Sequence, residues 1–183
     1  MAKGSDALYE DVVGPSAYWK AQGACIRIWG LLVAGMLCVK VLPEGVAMDR
    51  RECAKLATKC FPVWARQVLG RRAKPFLIQD HERALWTDEA KDAIKAGGLQ
   101  LVTSYPECSQ DLNVIEIAWR ELRARLADTE PVQMEDREAF VKRLRLAVTW
   151  VNWNRRMYLR GLCWAQEERA RDVLKLQGGR AKH

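Results

Sequence analysis

The sequence predicts an α/β domain: a mixed sheet flanked by helices, with extra helices at its C-terminal end. Three observations lead there. Short runs dense in Val, Ile, Leu and Trp alternate with longer stretches whose apolar residues recur at helical spacing. Their order is strands, helix, strand, helix, strand and then helices, which suits a sheet covered on its faces. The 183 residues, 49% hydrophobic and 29% charged, also suffice for one globular domain with a full core.

The first run is "ACIRIWGLLVAGMLCVKVLPEG". It reads as two adjacent strands turning near Ala34 and Gly35. Its uncharged centre, Ile28 to Val39, is 12 residues long, too short to cross a bilayer as a helix. Cys53, Leu56, Cys60, Trp64 and Val68 then predict a helix over 49–69, which Pro62 kinks or splits and Gly70 with "RRAK" closes. "PFLIQD", 75–80, reads as a short buried strand. "TDEAKDAIKAGG" is a helix with Thr87 as N-cap, acids in its first turn and Gly97 as C-cap. "LQLVTS" is a further short strand.

A polar loop follows, then a helix to about Ala127 within "CSQDLNVIEIAWRELRARL". "MEDREAFVKRLRLAVTWVNWN" is a strong amphipathic helix with Phe140, Leu144, Val148 and Val151 on one stripe. A last helix fits 162–176, and the tail "GGRAKH" frays. The sequence shows no internal repeat, linker or low-complexity tract.

Composition narrows the function classes. A net charge of +7 and a pI near 9.2 point to an anionic partner, nucleic acid first. The six cysteines are scattered without a CxxC, and there are only two histidines, which argues against a zinc site. Apolar neighbours around most cysteines suggest buried thiols in a reducing compartment. The start, "MAKGSDALYEDV", has no apolar signal-peptide core. The expectation is a protein that is not secreted and not in a membrane.

Two carboxylates carry the chemistry. Asp80 ends a strand expected to be central, and sites in open α/β sheets form beyond the carboxyl ends of such strands. Glu116 opens a helix after the next strand. Two like charges brought to one sheet edge repel unless a cation lies between them. Mg²⁺ takes hard oxygen ligands, often one or two carboxylates, with phosphates and waters completing the shell. His81, beside Asp80, either acts near the metal or is a strand-end polar residue.

The words around these acids resemble those of Tc1/mariner-type (IS630-like) transposases. "SQDLNVIEIAW" is similar to that family's stretch Ser-Pro-Asp-Leu-Asn-Pro-Ile-Glu-Asn-x-Trp through Ser109, Asp111, Leu112, Asn113, Ile115, Glu116 and Trp119. "LIQDHERALWT" looks like the strand carrying its second catalytic Asp, here Asp80. The 35 residues between Asp80 and Glu116 are close to the family's usual spacing. "IRIWGLLVAG", with Trp29 and Gly30, resembles its upstream Trp-Gly strand.

The resemblance covers roughly residues 18–127. It implies a ribonuclease-H-like fold and a DDE catalytic core over 1–130, N-terminally truncated, with a helical extension over 131–183 packed on the same domain. It also implies metal-dependent DNA cleavage and strand transfer, with Asp80 and Glu116 as ligands of two Mg²⁺ or Mn²⁺ ions. Asp111, Leu112 and Asn113 would shape the loop presenting Glu116, and Trp119 would anchor its helix. The family's first Asp has no clear counterpart. Asp11 is the nearest candidate, ahead of Glu10 and Asp6. Gln110 and Val114 replace two family prolines, Ile117 replaces an Asn, and Leu85 lies near the place of a His. The resemblance implies paired helix-turn-helix domains ahead of such a core; they are not among these 183 residues, which are therefore expected to be a truncated copy, a fragment of a longer gene or a domesticated descendant.

DNA is thus the expected partner, with no small-molecule cofactor, in the nucleus of a eukaryote or the cytoplasm otherwise. Arg120, Arg123, Lys142, Arg143, Arg155 and Arg156 are the candidate phosphate contacts. The competing reading of these residues is a solvated helix face with acid–base pairing. Trp150 and Trp153 read as core or helix–helix contacts, whereas an exposed Trp153 would mark a homodimer face. The rival functions are a catalytically inactive, transposase-derived DNA-binding or assembly module and an unrelated basic α/β protein.

Overall fold

The computed structural model describes residues 26–46, 49–72, 74–79, 86–103, 113–131, 135–166 and 168. It is a mixed α/β structure. Strands β1 (Ile28–Val33) and β2 (Met36–Val41) form an antiparallel hairpin. Its two-residue turn needs positive φ at both positions. Ala34 (φ 46°) and Gly35 (φ 83°) supply it, giving the turn whose twist suits a hairpin. A side chain at Gly35 would also meet the Arg156 carbonyl oxygen at 2.4 Å, so the turn fits only as glycine there.

Helices α1 (Arg50–Lys59) and α2 (Phe61–Leu69) replace the single helix expected over 49–69. They part at Cys60. Pro62 sits in the first turn of α2, where its missing N–H costs nothing. Asp49 caps α1 by accepting from Glu52 N at 2.8 Å. β3 (Phe76–Leu77) is shorter than expected and not wholly buried: Leu77 is inside, but Phe76 is 74% exposed. Thr87 caps α3 (Asp88–Ala96) and Gly97 ends it, as the sequence indicated. β4 (Gln100–Leu101) pairs with β3 in parallel, so β3, α3 and β4 make a parallel crossover unit.

Three helices follow: α4 (Val114–Asp128), α5 (Arg137–Asn154) and α6 (Arg156–Trp164). The last starts at Arg156, six residues before the expected 162. Residues 169–176 of the expected helix lie outside those described.

Two apolar clusters meet on β1. Ile28 joins Leu37, Trp119, Leu122, Leu144 and Val151 on one side. Trp29 points the other way and joins Leu56, Phe61, Leu77 and Ile94. The period-2 alternation of a strand therefore puts α4–α6 over one face of β1 and α1–α3 over the other. Trp29 stacks on Phe61 at 6.0 Å between ring centres. On β2, Leu37, Val39 and Val41 face the first cluster, and Lys40 faces solvent. The described ladders are two, β1–β2 and β3–β4. Among the described residues, no helix is long and apolar enough to cross a membrane.

Candidate active site and basic face

Glu116 stands at the third position of α4. Asn113 caps that helix: its Oδ1 accepts from Ile115 N at 3.3 Å, and its carbonyl accepts from Glu116 N at 3.0 Å. A carboxylate in this turn lies near the positive end of the helix dipole. Val114, Ile117, Ala118 and Trp119 are buried around it, and Ile115 packs half-buried against the same core. Glu116 itself is half-buried. The turn is fixed by its apolar neighbours.

The largest of those neighbours is Trp119. Its ring lies directly on Gly30 of β1. A Cβ at Gly30 would be 2.2 Å from Trp119 Cη2 and 2.4 Å from Cζ2. Only a residue without a side chain lets the indole reach the strand backbone. Position 30 thus sets the height of α4 on β1, and with it the height of Glu116.

The parallel pair leads to the other acid. Gln100 N donates to Pro75 O at 3.0 Å, and Val102 N donates to Leu77 O at 2.9 Å. Parallel strands leave a sheet at the same end, so the chain leaves β3 at Leu77, toward buried Gln79, at the same end as it leaves β4 at Leu101. Asp80 itself lies outside the described residues, as do Asp11, His81, Ser109, Asp111 and Leu112. The acids of this set offer only hard oxygen donors, the kind that Mg²⁺ and Mn²⁺ take. Among the described residues no three His, Cys, Asp or Glu side chains come together as metal ligands.

Cys38, Cys60 and Cys163 are free thiols, and Cys53 is buried. Burial pushes the Cys38 thiol pKa up. Burial does the same to Cys163, partly offset by a hydrogen bond with the Gly35 backbone.

The six candidate phosphate contacts divide by environment. Arg120, Lys142 and Arg156 are exposed. Arg123 is half-buried. Arg143 is committed within the fold: Nε donates to both Glu135 oxygens at 3.0 and 3.1 Å, Nη2 pairs with Glu135 Oε1, and Nη1 donates to the Leu126 carbonyl at 2.9 Å. It ties α5 to the C-terminal end of α4. Arg155 donates to Glu121 Oε2 at 2.8 Å and lies 5.5 Å over Trp150, whose ring also receives Arg125 at 5.0 Å.

Trp150 is half-buried beside those arginines, but Trp153 is 86% exposed and not the core residue its spacing suggested. Sequence reasoning also passed over Asn152 and Arg137. Arg137 Nη2 donates to the Leu42 carbonyl at 2.9 Å, pinning the start of α5 to the end of the hairpin. Nothing in its local pattern marks that role. The chain matches no protein-family model and no curated protein.

Proposed function

We propose that the chain is the catalytic domain of a Tc1/mariner-like DDE transposase with a ribonuclease-H-like fold, cutting and joining DNA strands with the help of a divalent metal. One observation carries this reading: the indole of Trp119 rests on Gly30. The two residues belong to separate segments that each resemble the same family, the Trp-Gly strand and the Asp-Leu-Asn-x-Ile-Glu helix. Those segments are remote in the chain, and composition alone gives no reason for them to touch. The parallel unit between them adds support. A ribonuclease-H-like core needs one there, between its opening hairpin and the helix bearing the last acid. Helices on both faces of β1 agree with it.

In this reading Asp80 and Glu116 would hold Mg²⁺ or Mn²⁺, two ions in the complete site, with Asp11 the candidate third ligand. When bound, such ions activate an attacking oxygen and stabilise a leaving one. The protein's own contribution is position. The Asn113 cap and the Trp119–Gly30 contact hold the first turn of α4, so the Glu116 carboxylate is presented at a fixed height. Exposed Arg120, Lys142 and Arg156 attract phosphates without regard to sequence.

The test is nicking of supercoiled plasmid DNA with Mn²⁺ or Mg²⁺. The wild-type chain should nick, and Asp80→Ala and Glu116→Gln should each abolish nicking while the protein stays folded. Nicking that persists in Asp80→Ala removes the assignment. A wild-type chain that binds DNA but never cuts it replaces the enzyme with a transposase-derived DNA-binding or assembly module.

A further inference from the structure

From Ala139 to Ala165 the sequence contains no Asp or Glu and six basic residues: Lys142, Arg143, Arg145, Arg155, Arg156 and Arg160. This stretch is nearly all of α5 and α6. Among the described residues it also carries most of the large apolar side chains left in solvent. Leu146 is 63% exposed, Trp153 86%, Met157 72% and Trp164 69%, with Tyr158 exposed beside them. Arg143 and Arg155 are neutralised by Glu135 and Glu121. Lys142, Arg145 and Arg156 are exposed; Glu138, one turn before Lys142, is the one acid of α5, and α6 has none. Arg160 lies 4.2 Å over the Trp164 ring and extends that flat surface with a cation.

The charge decides what covers this face. A second copy would bring exposed Arg145 and Arg156 against their own counterparts, a like-charge contact that opposes association. A lipid surface wants a helix with one continuous apolar face. Here α6 is nine residues long, and exposed Gly161 separates Met157 and Tyr158 from Trp164. A single strand of nucleic acid offers both things the face lacks: phosphate charge for the arginines, and unstacked bases for the indoles. Met157 and Trp164 are seven residues apart on α6, so they share a side at a separation of roughly 10 Å by the helical rise, within the reach of a few successive nucleotides.

We propose that α5 and α6 form a docking face for single-stranded DNA, on which Trp153 and Trp164 stack bases while Lys142, Arg145 and Arg156 hold the backbone. The choice of DNA over RNA rests on the function proposed above. The stacking itself does not use Asp80 or Glu116.

The experiment measures anisotropy of a labelled oligo-dT with the full chain, alongside quenching of tryptophan fluorescence. Oligo-dT should bind and quench. Trp153→Ala and Trp164→Ala should each weaken it roughly ten-fold, and Trp153→Phe should restore most of the loss, since a base still has a ring to meet. Duplex binding should change far less. Trp153 is exposed, so the variant should keep the far-ultraviolet circular dichroism of the wild type. Unchanged oligo-dT affinity in the folded alanine variants overturns the proposal. So does binding of anionic phosphatidylserine vesicles in place of oligo-dT, or a dimer in sedimentation that Trp153→Ala dissolves. Tighter binding of oligo-rU than oligo-dT overturns the choice of DNA. Asp80→Ala keeps the two readings apart: it should lose nicking and leave oligo-dT affinity unchanged.

Discussion

The side-chain amide of Asn152 pairs with both backbone groups of Leu37. Leu37 N donates to Asn152 Oδ1 at 2.7 Å, and Asn152 Nδ2 donates to the Leu37 carbonyl at 2.8 Å. The reason lies in the ladder. Val33 and Met36 flank the two-residue turn and bond to each other, so the next pair, Leu32 and Leu37, points its backbone groups outward. Asn152 stands in for one residue of a third strand. It occupies the outer edge of β2 and fixes how α5 is rotated against the hairpin.

Removing that amide should therefore be costly. Asn152→Ala leaves the N–H and C=O of buried Leu37 without their partners, at about 1–3 kcal/mol for each orphaned group. Asn152→Asp should fare little better. It keeps the acceptor for Leu37 N–H but turns a carboxylate oxygen toward the Leu37 carbonyl. Urea unfolding followed by circular dichroism checks both, and a loss below about 0.5 kcal/mol for Asn152→Ala would contradict the pairing.

Gly30→Ala should destabilise by overpacking. The added methyl would stand 2.2 Å from the Trp119 ring, so α4 must lift or the indole must turn, at about 1–3 kcal/mol. Trimming the ring should relieve it: Trp119→Leu alone is destabilising, but Gly30→Ala in that background should cost much less. The double-mutant cycle reads this coupling directly, and additive losses would show that the two positions do not meet. A displaced Glu116 should also appear as lower nicking activity in Gly30→Ala, at temperatures where the protein stays folded.

The thiols should be slow nucleophiles. Burial raises the pKa of Cys38 and Cys163, so less thiolate is present at a given pH than for an exposed cysteine. Iodoacetamide at pH 8 followed by peptide mapping should label both far more slowly in the folded chain than in denaturant. Stability should also respond to pH in a stated direction. As pH rises past the ordinary thiol value of 9.0, the unfolded chain loses these protons before the folded one does, so stability falls. Replacing both with Ala or Ser should flatten that fall.

Local signals made parts of this fold legible in the sequence. Ala34-Gly35 between two β-rich runs marked the hairpin, Thr87 and Gly97 bracketed α3, and Pro62 split the helix at the residue two places before it. The Glu116 turn was readable because cap, acid and anchoring Trp119 lie within one short segment. Relationships across the chain were hidden. Asn152 finds its partner 115 residues away and looks like any polar residue on a helix. Trp153 shares i,i+3 spacing with Trp150, yet the buried stripe runs through Leu144, Ala147 and Val151 on another side of α5. The start of α6 was missed because exposed Met157, Tyr158 and Trp164 blur the pattern set by buried Leu159.

Arg143 and Arg156 should separate structure from binding. Both are basic residues of the C-terminal helices, and sequence alone treats them alike. Arg143→Ala removes the partner of Glu135, whose side chain is only 10% exposed, and unties the last turn of α4 at Leu126. A nearly buried carboxylate left alone costs on the order of 3 kcal/mol. The double variant with Glu135→Leu should recover part of that by removing the stranded charge. Arg156 is exposed, so Arg156→Ala should leave the denaturation midpoint nearly unchanged. Its effect should fall on DNA: if Arg156 contacts a phosphate, the slope of log affinity against log salt becomes shallower by about one, uniformly across sequences. Titrations at four or five salt concentrations decide this. Equal salt slopes for wild type and Arg156→Ala would take Arg156 off the DNA-facing surface. A changed slope in Arg143→Ala, with stability intact, would mean that its pair with Glu135 opens when DNA binds.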